Sequence, residues 1–370
     1  MKWERKTINE LCEIKGGKRL PKNHELIEVE TNHPYIRARD IGNGIIDFSK
    51  PVYLQENTFN FISRYTVKAD DIVLTIVGAN IGDVGLIPKH LDGANLTENA
   101  VKLTSFNENC HFKYLLYYFL LPGKKKQLEQ VAAGSAQGKL GLYKIKDIEV
   151  PIPPLPTQRK IASILSAYDD LIENNLKRIK LLEEKAFLRY KLIVREEKMQ
   201  VEEKLENLIQ TVKRKAKIPK SDYKEKGEFP IIDQSTDFIG GYTNEKEVVY
   251  EDLPMIVFGD HTRILKYVNF PFACGADGTQ LIKPNNPNIS VAYLYFELIN
   301  CNLSNYHYAR HFKFLKEQVI KLPSEKVMLE YKEETDKIFN LIQLLRLQNT
   351  KLREARDILL PKLMNGQIEV

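Results

Sequence analysis

The run IASILSAYDDLIENNLKRIKLL, Ile161 to Leu182, decides the architecture of the chain. Its apolar residues alternate at spacings of four and three, which is the a/d pattern of a coiled-coil helix. A second run with this spacing finishes in RDILLPKLMNGQIEV, where Pro361 lies in the predicted last turn and Gly366 just beyond it. The predicted seam residues are Ile161, Leu165, Tyr168, Ile172, Asn175, Ile179, Leu182 and Ala186 in the first helix, and Ile338, Leu341, Leu345, Gln348, Leu352, Ala355 and Leu359 in the second.

Each predicted seam carries one amide side chain near its middle, Asn175 in the first helix and Gln348 in the second. A polar seam residue lowers stability and fixes the register of a coiled coil. We expect the helices to pack antiparallel, which would allow these two amides to meet. The alternative is that each helix packs only on its own domain, since one amphipathic stripe is compatible with both arrangements.

The segments around these helices form an internal repeat. INELCEIKGGKRLPK (Ile8 to Lys22) matches LENLIQTVKRKAKIPK (Leu205 to Lys220), because both begin as a short apolar helix and end in a basic loop with Pro-Lys. Further matches follow in the same order, and the chain is therefore interpreted as a tandem duplication. They are buried-strand runs before a glycine (Ile72 to Val77; Met255 to Phe258) and apolar helices (Phe112 to Leu121; Val291 to Asn300).

These patterns predict an α+β fold with two globular α/β domains in tandem. Two long helices separate the domains and form an antiparallel coiled coil, which gives the chain approximate two-fold symmetry. The predicted boundaries are 1–155 for the first domain, 156–200 for the central helix, 201–325 for the second domain and 326–370 for the C-terminal helix.

The composition excludes several classes of protein. The chain has 370 residues, 43% of them hydrophobic, and no run approaches 18 uninterrupted apolar residues, so no membrane span or membrane partner is expected. The start, MKWERKTINEL, lacks the apolar core of a signal peptide, and a cytoplasmic location is expected. The four cysteines are scattered, which predicts neither a disulfide framework nor a metal site. The net charge of +6 permits a nucleic-acid partner without requiring one.

The sequence contains no recognisable catalytic signature. GSAQGKL, Gly134 to Leu140, resembles a phosphate-binding loop, but three residues separate its glycines where four are needed, and Leu140 replaces the Ser or Thr that holds the metal. No nucleophile and base stand at a readable spacing. We therefore predict no catalytic residue and no cofactor in this chain, with an unrecognised hydrolase as the remaining alternative.

Basic loops occur in both copies of the repeat. Lysine and arginine in such loops neutralise phosphates, and arginine also contacts base edges. Each loop taken alone is also typical of a solvated surface. The candidate DNA-binding residues are Lys18, Arg19, Arg37, Arg39 and Lys139 in the first domain, and Lys217, Arg263, Arg310 and Lys313 in the second.

The whole chain resembles the specificity subunits of type I restriction-modification systems. The motifs that carry the resemblance are PIPPLPTQRKIASIL before the central helix, GDHTR with FACGADGTQLI in the second copy, and the ending RDILLPKLMNGQIEV. The second copy departs from the pattern, because it has LPSEKVMLEYKEE in place of the proline-rich element. No residue of the second copy therefore corresponds to Gln158. The surfaces on which partner subunits would bind are not expected to be strictly equivalent in the two copies.

The resemblance implies a subunit without catalytic activity, in which each target-recognition domain binds one half of a bipartite target in double-stranded DNA. It also implies that two modification subunits dock on the helices and methylate adenine with S-adenosylmethionine. Restriction subunits would add translocation and cleavage that depend on ATP and Mg²⁺. Two other functions remain open: a coiled-coil scaffold for protein partners, and the recognition module of a single-chain restriction enzyme.

Overall fold

A computed structural model describes residues 3–134, 138–196, 201–275, 278–301 and 311–370. The chain divides into two compact units. The first unit comprises Met1–Ile172 with Lys351–Val370, and the second comprises Glu173–Thr350. Each unit therefore combines one globular region with segments of both long helices, whereas the sequence predicted the helices as separate segments.

The first unit mixes short strands and helices in the described residues. They are β1 (Glu4–Thr7), α1 (Ile8–Leu11), β2 (Glu13–Gly16), β3 (Tyr35–Ile36), β4 (Ile41–Gly42), β5 (Ile45–Ile46), α2 (Glu56–Ile62), β6 (Ile72–Thr75), β7 (Val84–Leu86), β8 (Asn95–Leu96), β9 (Ala100–Thr104), α3 (Phe112–Phe119), α4 (Lys124–Ala133), α5 (Leu142–Lys146) and β10 (Glu149–Ile152). The long helix α6 (Leu155–Glu196) begins in this unit and continues into the second from Glu173.

A four-stranded antiparallel sheet in the order β2-β9-β6-β7 is the centre of the first unit. Its strand β6 is buried along its whole length. Ile72 and Leu74 pack into one apolar cluster, and Val73 packs into another, because successive side chains of a strand point to opposite faces. Smaller pairs are antiparallel β1·β10, antiparallel β4·β5 and parallel β3·β8.

The second unit repeats much of this order. Its described elements are β11 (Val201–Lys204), α7 (Leu205–Leu208), β12 (Phe229–Ile232), β13 (Gly241–Thr243), β14 (Val249–Tyr250), β15 (Met255–Gly259), β16 (Leu265–Val268), β17 (Phe272–Cys274), β18 (Thr279–Ile282), α8 (Val291–Asn300), α9 (His311–Lys316), β19 (Val319–Leu322) and the long helix α10 (Glu325–Met364).

Three sheets occur among the described residues of the second unit: β16-β15-β18, β13-β12-β17-β14 and the antiparallel pair β11·β19. The central strand β15 divides its side chains as β6 does. Ile256 and Phe258 join one apolar cluster, while Met255 and Val257 join another. The predicted buried strands and apolar helices of the repeat are thus confirmed as β6 with β15 and α3 with α8.

The long helices α6 and α10 run antiparallel where they meet inside each unit. In the first unit Asp169 of α6 pairs with Arg356 of α10 at 2.6 Å. In the second unit the hydroxyl of Tyr331 donates to the carbonyl of Ala186 at 3.1 Å. Within the second unit Glu183 pairs with Arg346 and Arg189 pairs with Glu334, so the residue number on α10 falls as the number on α6 rises. The predicted antiparallel pairing is confirmed there.

The seam of α6 follows the predicted spacing. Ile161, Leu165, Ile172, Asn175 and Ile179 are buried. Tyr168 and Leu182 are half-buried at the same spacing, and Ala186 is buried.

The seam of α10 differs from the prediction at alternate positions. Leu345 is buried and Leu352 and Leu359 are half-buried, but Leu341 is 37% exposed and Gln348 is exposed. Ile342 and Asn349 are the buried residues at those places. The predicted phase was wrong there by one residue, because Leu341 and Ile342 are both apolar and Gln348 and Asn349 are both amides.

The predicted contact between seam amides is nevertheless confirmed. The Asn175 side-chain amide donates to Gln348 Oε1 at 3.1 Å and to Asn349 Oδ1 at 2.9 Å. These three side chains make one polar layer between the two helices. Such a layer favours one register, because a shift along the helices leaves buried amides without partners.

Gln158 is fully buried at the start of α6 and ties three backbone segments together. It accepts from the His111 N–H at 2.9 Å and donates to the carbonyls of Asn109 and Pro153, both at 2.8 Å. In the second unit the sulfur of Met328 accepts from the Ser290 N–H at 3.4 Å. Since His111 and Ser290 both precede equivalent helices, Met328 occupies the place of Gln158.

Candidate nucleic-acid interface

Lys18 and Arg19 follow β2, where the chain runs close against residues 96–98. A Cβ on Gly17 would lie 2.0 Å from the Thr97 carbonyl oxygen, so this approach requires glycine. The Lys18 N–H donates to the Leu96 carbonyl at 2.9 Å, and its exposed side chain lies 5.6 Å from the centre of the Tyr65 ring. The backbone is thus fixed while the lysine side chain remains exposed.

Arg19 is exposed and donates from Nε to Glu98 at 2.8 Å. Burial by itself raises the pKa of the Glu98 carboxyl, but hydrogen bonds from Arg19, the backbone and Thr97 outweigh it, and the net pKa is lowered. Glu98 is therefore an anion that holds Arg19 in place. A phosphate that binds Arg19 would have to compete with this carboxylate.

Arg37 and Arg39 are neighbours with different environments. Arg37 donates to both carboxylate oxygens of Asp40, at 2.8 and 2.9 Å, and to the Lys50 carbonyl at 2.6 Å. Its side chain is 15% exposed, so the guanidinium is used to fix the loop. Arg39 is 68% exposed and lies 4.0 Å from Asp40, which leaves more of its donors at the surface.

The remaining candidates are distributed over both units. Lys139 is exposed and precedes Leu140, whose N–H donates to the Ile76 carbonyl at 3.0 Å. Lys313 is exposed on α9. Arg310 lies outside the described residues.

Arg263 contacts a buried histidine. Its backbone φ of 62° is in the left-handed region, and its Nε donates to His311 Nε2 at 3.3 Å. Burial lowers the pKa of His311, and the nearby Arg263 charge lowers it further. The neutral imidazole is the form that accepts this hydrogen bond, and the histidine therefore positions Arg263.

A basic groove lies in each unit. The first groove has a cavity volume of about 280 Å³ and is lined by Lys15, Gly16, Arg64, Tyr65, Thr66, Leu96 and Lys102. The second groove has a cavity volume of about 220 Å³, and its charged and aromatic lining consists of Glu206, Arg214, Lys215, Lys217, Tyr250, Phe312 and Lys316. Only Lys217 of these lining residues was singled out from the sequence. The basic loop Lys213 to Lys220 was the available signal for Arg214 and Lys215.

The residues that the structure describes offer no alternative metal chemistry. Within the five described ranges, no group of three or more His, Cys, Asp or Glu residues is placed to hold a metal ion. Burial raises the pKa of Cys12, Cys110 and Cys274 to about 12, so these thiols are neutral. None of the helices in the described residues combines the length and the apolar character that crossing a membrane requires.

Known proteins resemble this chain along its whole length. The model of the type I restriction modification DNA specificity domain matches residues 1–184. The chain is 25% identical to a putative type I restriction enzyme MjaX specificity subunit of Methanocaldococcus jannaschii, with 100% of this chain and 94% of that protein covered. It is also 25% identical over 314 residues to a putative type I specificity subunit of Mycoplasma genitalium, which covers 80% of this chain and 74% of that protein.

A solved structure shares the fold. The crystal structure of a type I restriction-modification system S subunit from M. genitalium superposes with a TM-score of 0.60 at 18% identity, and the match covers 98% of this chain and 96% of that one.

Two α+β units, each with a basic groove and a pair of long helix segments, define a tandem-domain protein whose grooves suit an anionic ligand. The sequence matches make this class more specific. The chain belongs to the DNA specificity subunits of type I restriction-modification systems.

Proposed function

We propose that each unit recognises one half of a bipartite duplex target and that the chain has no catalytic activity of its own. The observation that carries this proposal is the repeated order of elements around two grooves with different side chains. Phosphate contacts need only positive charge, whereas recognition of bases needs particular donors and acceptors. Similar scaffolds with different groove residues suit two different half-sequences.

The paired long helices set the distance between the half-sites in this proposal. Helix α6 has 42 residues. At about 1.5 Å per residue it extends about 63 Å, and a DNA turn is about 34 Å, so the helix matches between one and two turns. The buried polar layer supports a fixed register.

Modification subunits are the proposed partners of the helices. Leu181, Leu188 and Leu192 are exposed on α6, and Leu341, Leu344 and Leu347 are exposed on α10, all within the second unit. Exposed apolar side chains at helical spacing are typical of surfaces that bind another protein. In the complex, two modification subunits would supply adenine methylation from S-adenosylmethionine, and restriction subunits would supply the reactions that require ATP and Mg²⁺.

The proposal is tested by mapping N6-methyladenine across the genome of the source cell, with the gene present and deleted. One bipartite motif with an unspecified spacer should disappear on deletion. Complementation with Arg39→Gln should relax only one half of the motif and Lys313→Gln only the other. Lys89→Gln and Lys246→Gln, at exposed positions that are not among the candidate DNA-binding residues, are the matched controls. A motif that persists after deletion would reject the proposal.

A protein scaffold is the second candidate, and the exposed leucines favour it. It predicts that the co-purified complex binds modification subunits but shows no salt-dependent affinity for any duplex. Salt-dependent duplex binding would exclude a pure scaffold, since each phosphate that a cation neutralises releases counterions.

A further inference from the structure

The two grooves occupy equivalent places in their units. Each is lined by the last residue of a strand in a parallel pair, which we call its floor residue: Leu96, opposite Ile36 in β3·β8, and Cys274, opposite Ile232 in β12·β17. The carbonyl of each floor residue accepts a backbone N–H from the basic loop that follows the first helix of the unit. Lys18 donates to Leu96 at 2.9 Å, and Ile218 donates to Cys274 at 3.0 Å.

A lysine over a tyrosine occurs at both places. Lys18 Nζ lies 5.6 Å from the Tyr65 ring centre, and Lys215 Nζ lies 5.8 Å from the Tyr250 ring centre. Both lysines belong to the basic loops of the sequence repeat, GGKRLPK and KRKAKIPK, although at different positions within them. A lysine of the basic loop thus lies near one aromatic lining residue of each groove.

The charge balance of the two grooves differs. In the first groove Lys15 pairs with Glu13, and Lys102 lies 3.6 Å from Asp71. In the second groove, within the described part of the chain, none of Arg214, Lys215, Lys217 and Lys316 has a carboxylate within 4.0 Å. The floor thiol of Cys274 is neutral, because burial raises its pKa to about 12. Four cations therefore share one concave surface that has Glu206 as its acidic lining residue.

The second groove is also built to keep donors available. Arg214 donates from Nη2 to Gln280 at 3.0 Å, which orients the guanidinium and leaves its other N–H groups for a ligand. Lys215 Nζ donates to the Val249 carbonyl and retains two further N–H groups. Lys316 Nζ lies 5.1 Å from the Phe312 ring centre at the same groove.

We propose that the second groove binds backbone phosphates of the DNA and supplies more of the electrostatic binding than the first groove does. The proposal rests on the function proposed above. A cavity of about 220 Å³ is too small for duplex DNA but can accept phosphate groups from its edge. Unpaired cations bind phosphates without first giving up a carboxylate, which is the disadvantage of Lys15, Lys102 and Arg19 in the first unit.

The test uses the full chain co-purified with its modification subunit. Binding to a duplex containing the mapped motif and to a scrambled duplex is measured between about 50 and 200 mM salt. The triple variant Arg214→Gln, Lys217→Gln, Lys316→Gln should weaken binding to both duplexes by the same factor. It should reduce the slope of log K against log salt by two to three, because each lost phosphate contact removes about 0.9.

Two matched variants isolate the groove. Lys224→Gln, Lys226→Gln, Lys246→Gln removes three exposed charges of the same unit outside the groove and should keep the wild-type slope. Arg214→Lys, Lys217→Arg, Lys316→Arg keeps the charge and should restore most of the slope. The corresponding triple variant of the first groove, Lys15→Gln, Arg64→Gln, Lys102→Gln, should reduce the slope by less than the second-groove variant does.

The outcomes separate this proposal from the function on which it rests. If the wild-type complex shows no salt-dependent duplex binding, the proposed function fails. If the wild type binds but the groove variant keeps its slope, or loses only as much as the surface control, the groove proposal alone is rejected. Unchanged urea unfolding of the variants shows that a loss of binding is not a loss of folding.

Discussion

The two units preserve contacts to backbone atoms and differ in contacts between side chains. Tyr114 donates its hydroxyl to the Pro151 carbonyl at 2.7 Å, and Tyr293 in the second unit donates to the Lys321 carbonyl at 2.9 Å. The cations of the second groove, by contrast, lack the carboxylates that pair with Lys15 and Lys102 in the first. Gln158 is an exception among the backbone contacts, because Met328 replaces it in the second unit and keeps only the role of acceptor. After a duplication, a hydrogen bond from a side chain to a backbone carbonyl can be lost only when that side chain is replaced, because every residue carries the carbonyl. A contact between side chains can be lost from either end.

A reciprocal exchange at the start of the long helices should have the largest effect on stability. Gln158→Met removes the donors to the carbonyls of Asn109 and Pro153 and should lower the free energy of unfolding by roughly 3 kcal/mol. Met328→Gln keeps an acceptor for the Ser290 N–H but buries the amide N–H donors among apolar side chains, and it should destabilise the second unit by roughly 2 kcal/mol. Urea denaturation measures both, and Met328→Leu, which keeps the volume, should cost less than about 1.5 kcal/mol. If neither Gln158→Met nor Met328→Gln changes the free energy of unfolding, the two units do not differ at this position in the way described.

The polar layer should have the next largest effect. Asn175→Ala should lower the free energy of unfolding by about 1–2 kcal/mol, because the buried Asn349 oxygen loses a donor. Asn175→Leu should recover part of this loss by apolar burial but loosen the register, so that methylation at more than one spacer length is detected. Asn174→Leu, at the exposed neighbouring position, should leave the spacer unchanged. A single spacer length in Asn175→Leu would argue against a register role.

The preserved tyrosines should give a matched pair of smaller effects. Tyr114→Phe and Tyr293→Phe each remove one hydroxyl donor and should each lower the free energy of unfolding by about 1 kcal/mol. Tyr143→Phe, at a side chain 66% exposed, is the control and should be neutral. Markedly unequal losses at Tyr114 and Tyr293 would show that the contact has not kept the same role in both units.

Lowering the pH should have the smallest effect on stability, and it should destabilise both units. Burial lowers the pKa of His111 and of His311 below the value in the unfolded chain. A group with a lowered pKa in the folded state stabilises the fold above its unfolded pKa, about 6.5, and loses that contribution as pH falls further. His311→Asn should therefore flatten the decline in stability below pH 6.5, as measured by thermal unfolding, whereas His90→Asn at the exposed surface should not. A variant that declines as steeply as the wild type would reject the role of His311.

Much of the fold can be predicted from the sequence, because periodicity records burial. The seam of α6 follows from apolar spacing alone, and the element order follows from the repeat. Apolar spacing does not predict which residues of α10 are buried in the seam, because Leu341 and Ile342 satisfy the pattern equally well. The buried Thr335, a polar seam residue that precedes Ile338, weakens the apolar signal that would have distinguished them.

The candidate interface is less predictable, because it depends on contacts between distant residues. Lys15, Arg64 and Lys102 line one groove although up to 87 positions separate them in the sequence, and no local pattern joins them. The structural role of Arg37 had a local signal in Asp40, three residues later, but its burial is a property of the folded loop. Loop composition can therefore indicate which segments are basic, but the fold determines which residues within those segments line a groove.

The polar layer restricts which changes in length the long helices can accommodate. An insertion in α6 keeps Asn175 opposite Asn349 only if its length preserves the seam phase and α10 gains a matching segment. The smallest such paired insertion is one heptad, about 10.5 Å at about 1.5 Å per residue, or roughly three base pairs of about 3.4 Å. Paired deletions follow the same rule. The separation between half-sites should therefore change in steps of about three base pairs, and intermediate lengths would need a seam that is locally over- or underwound.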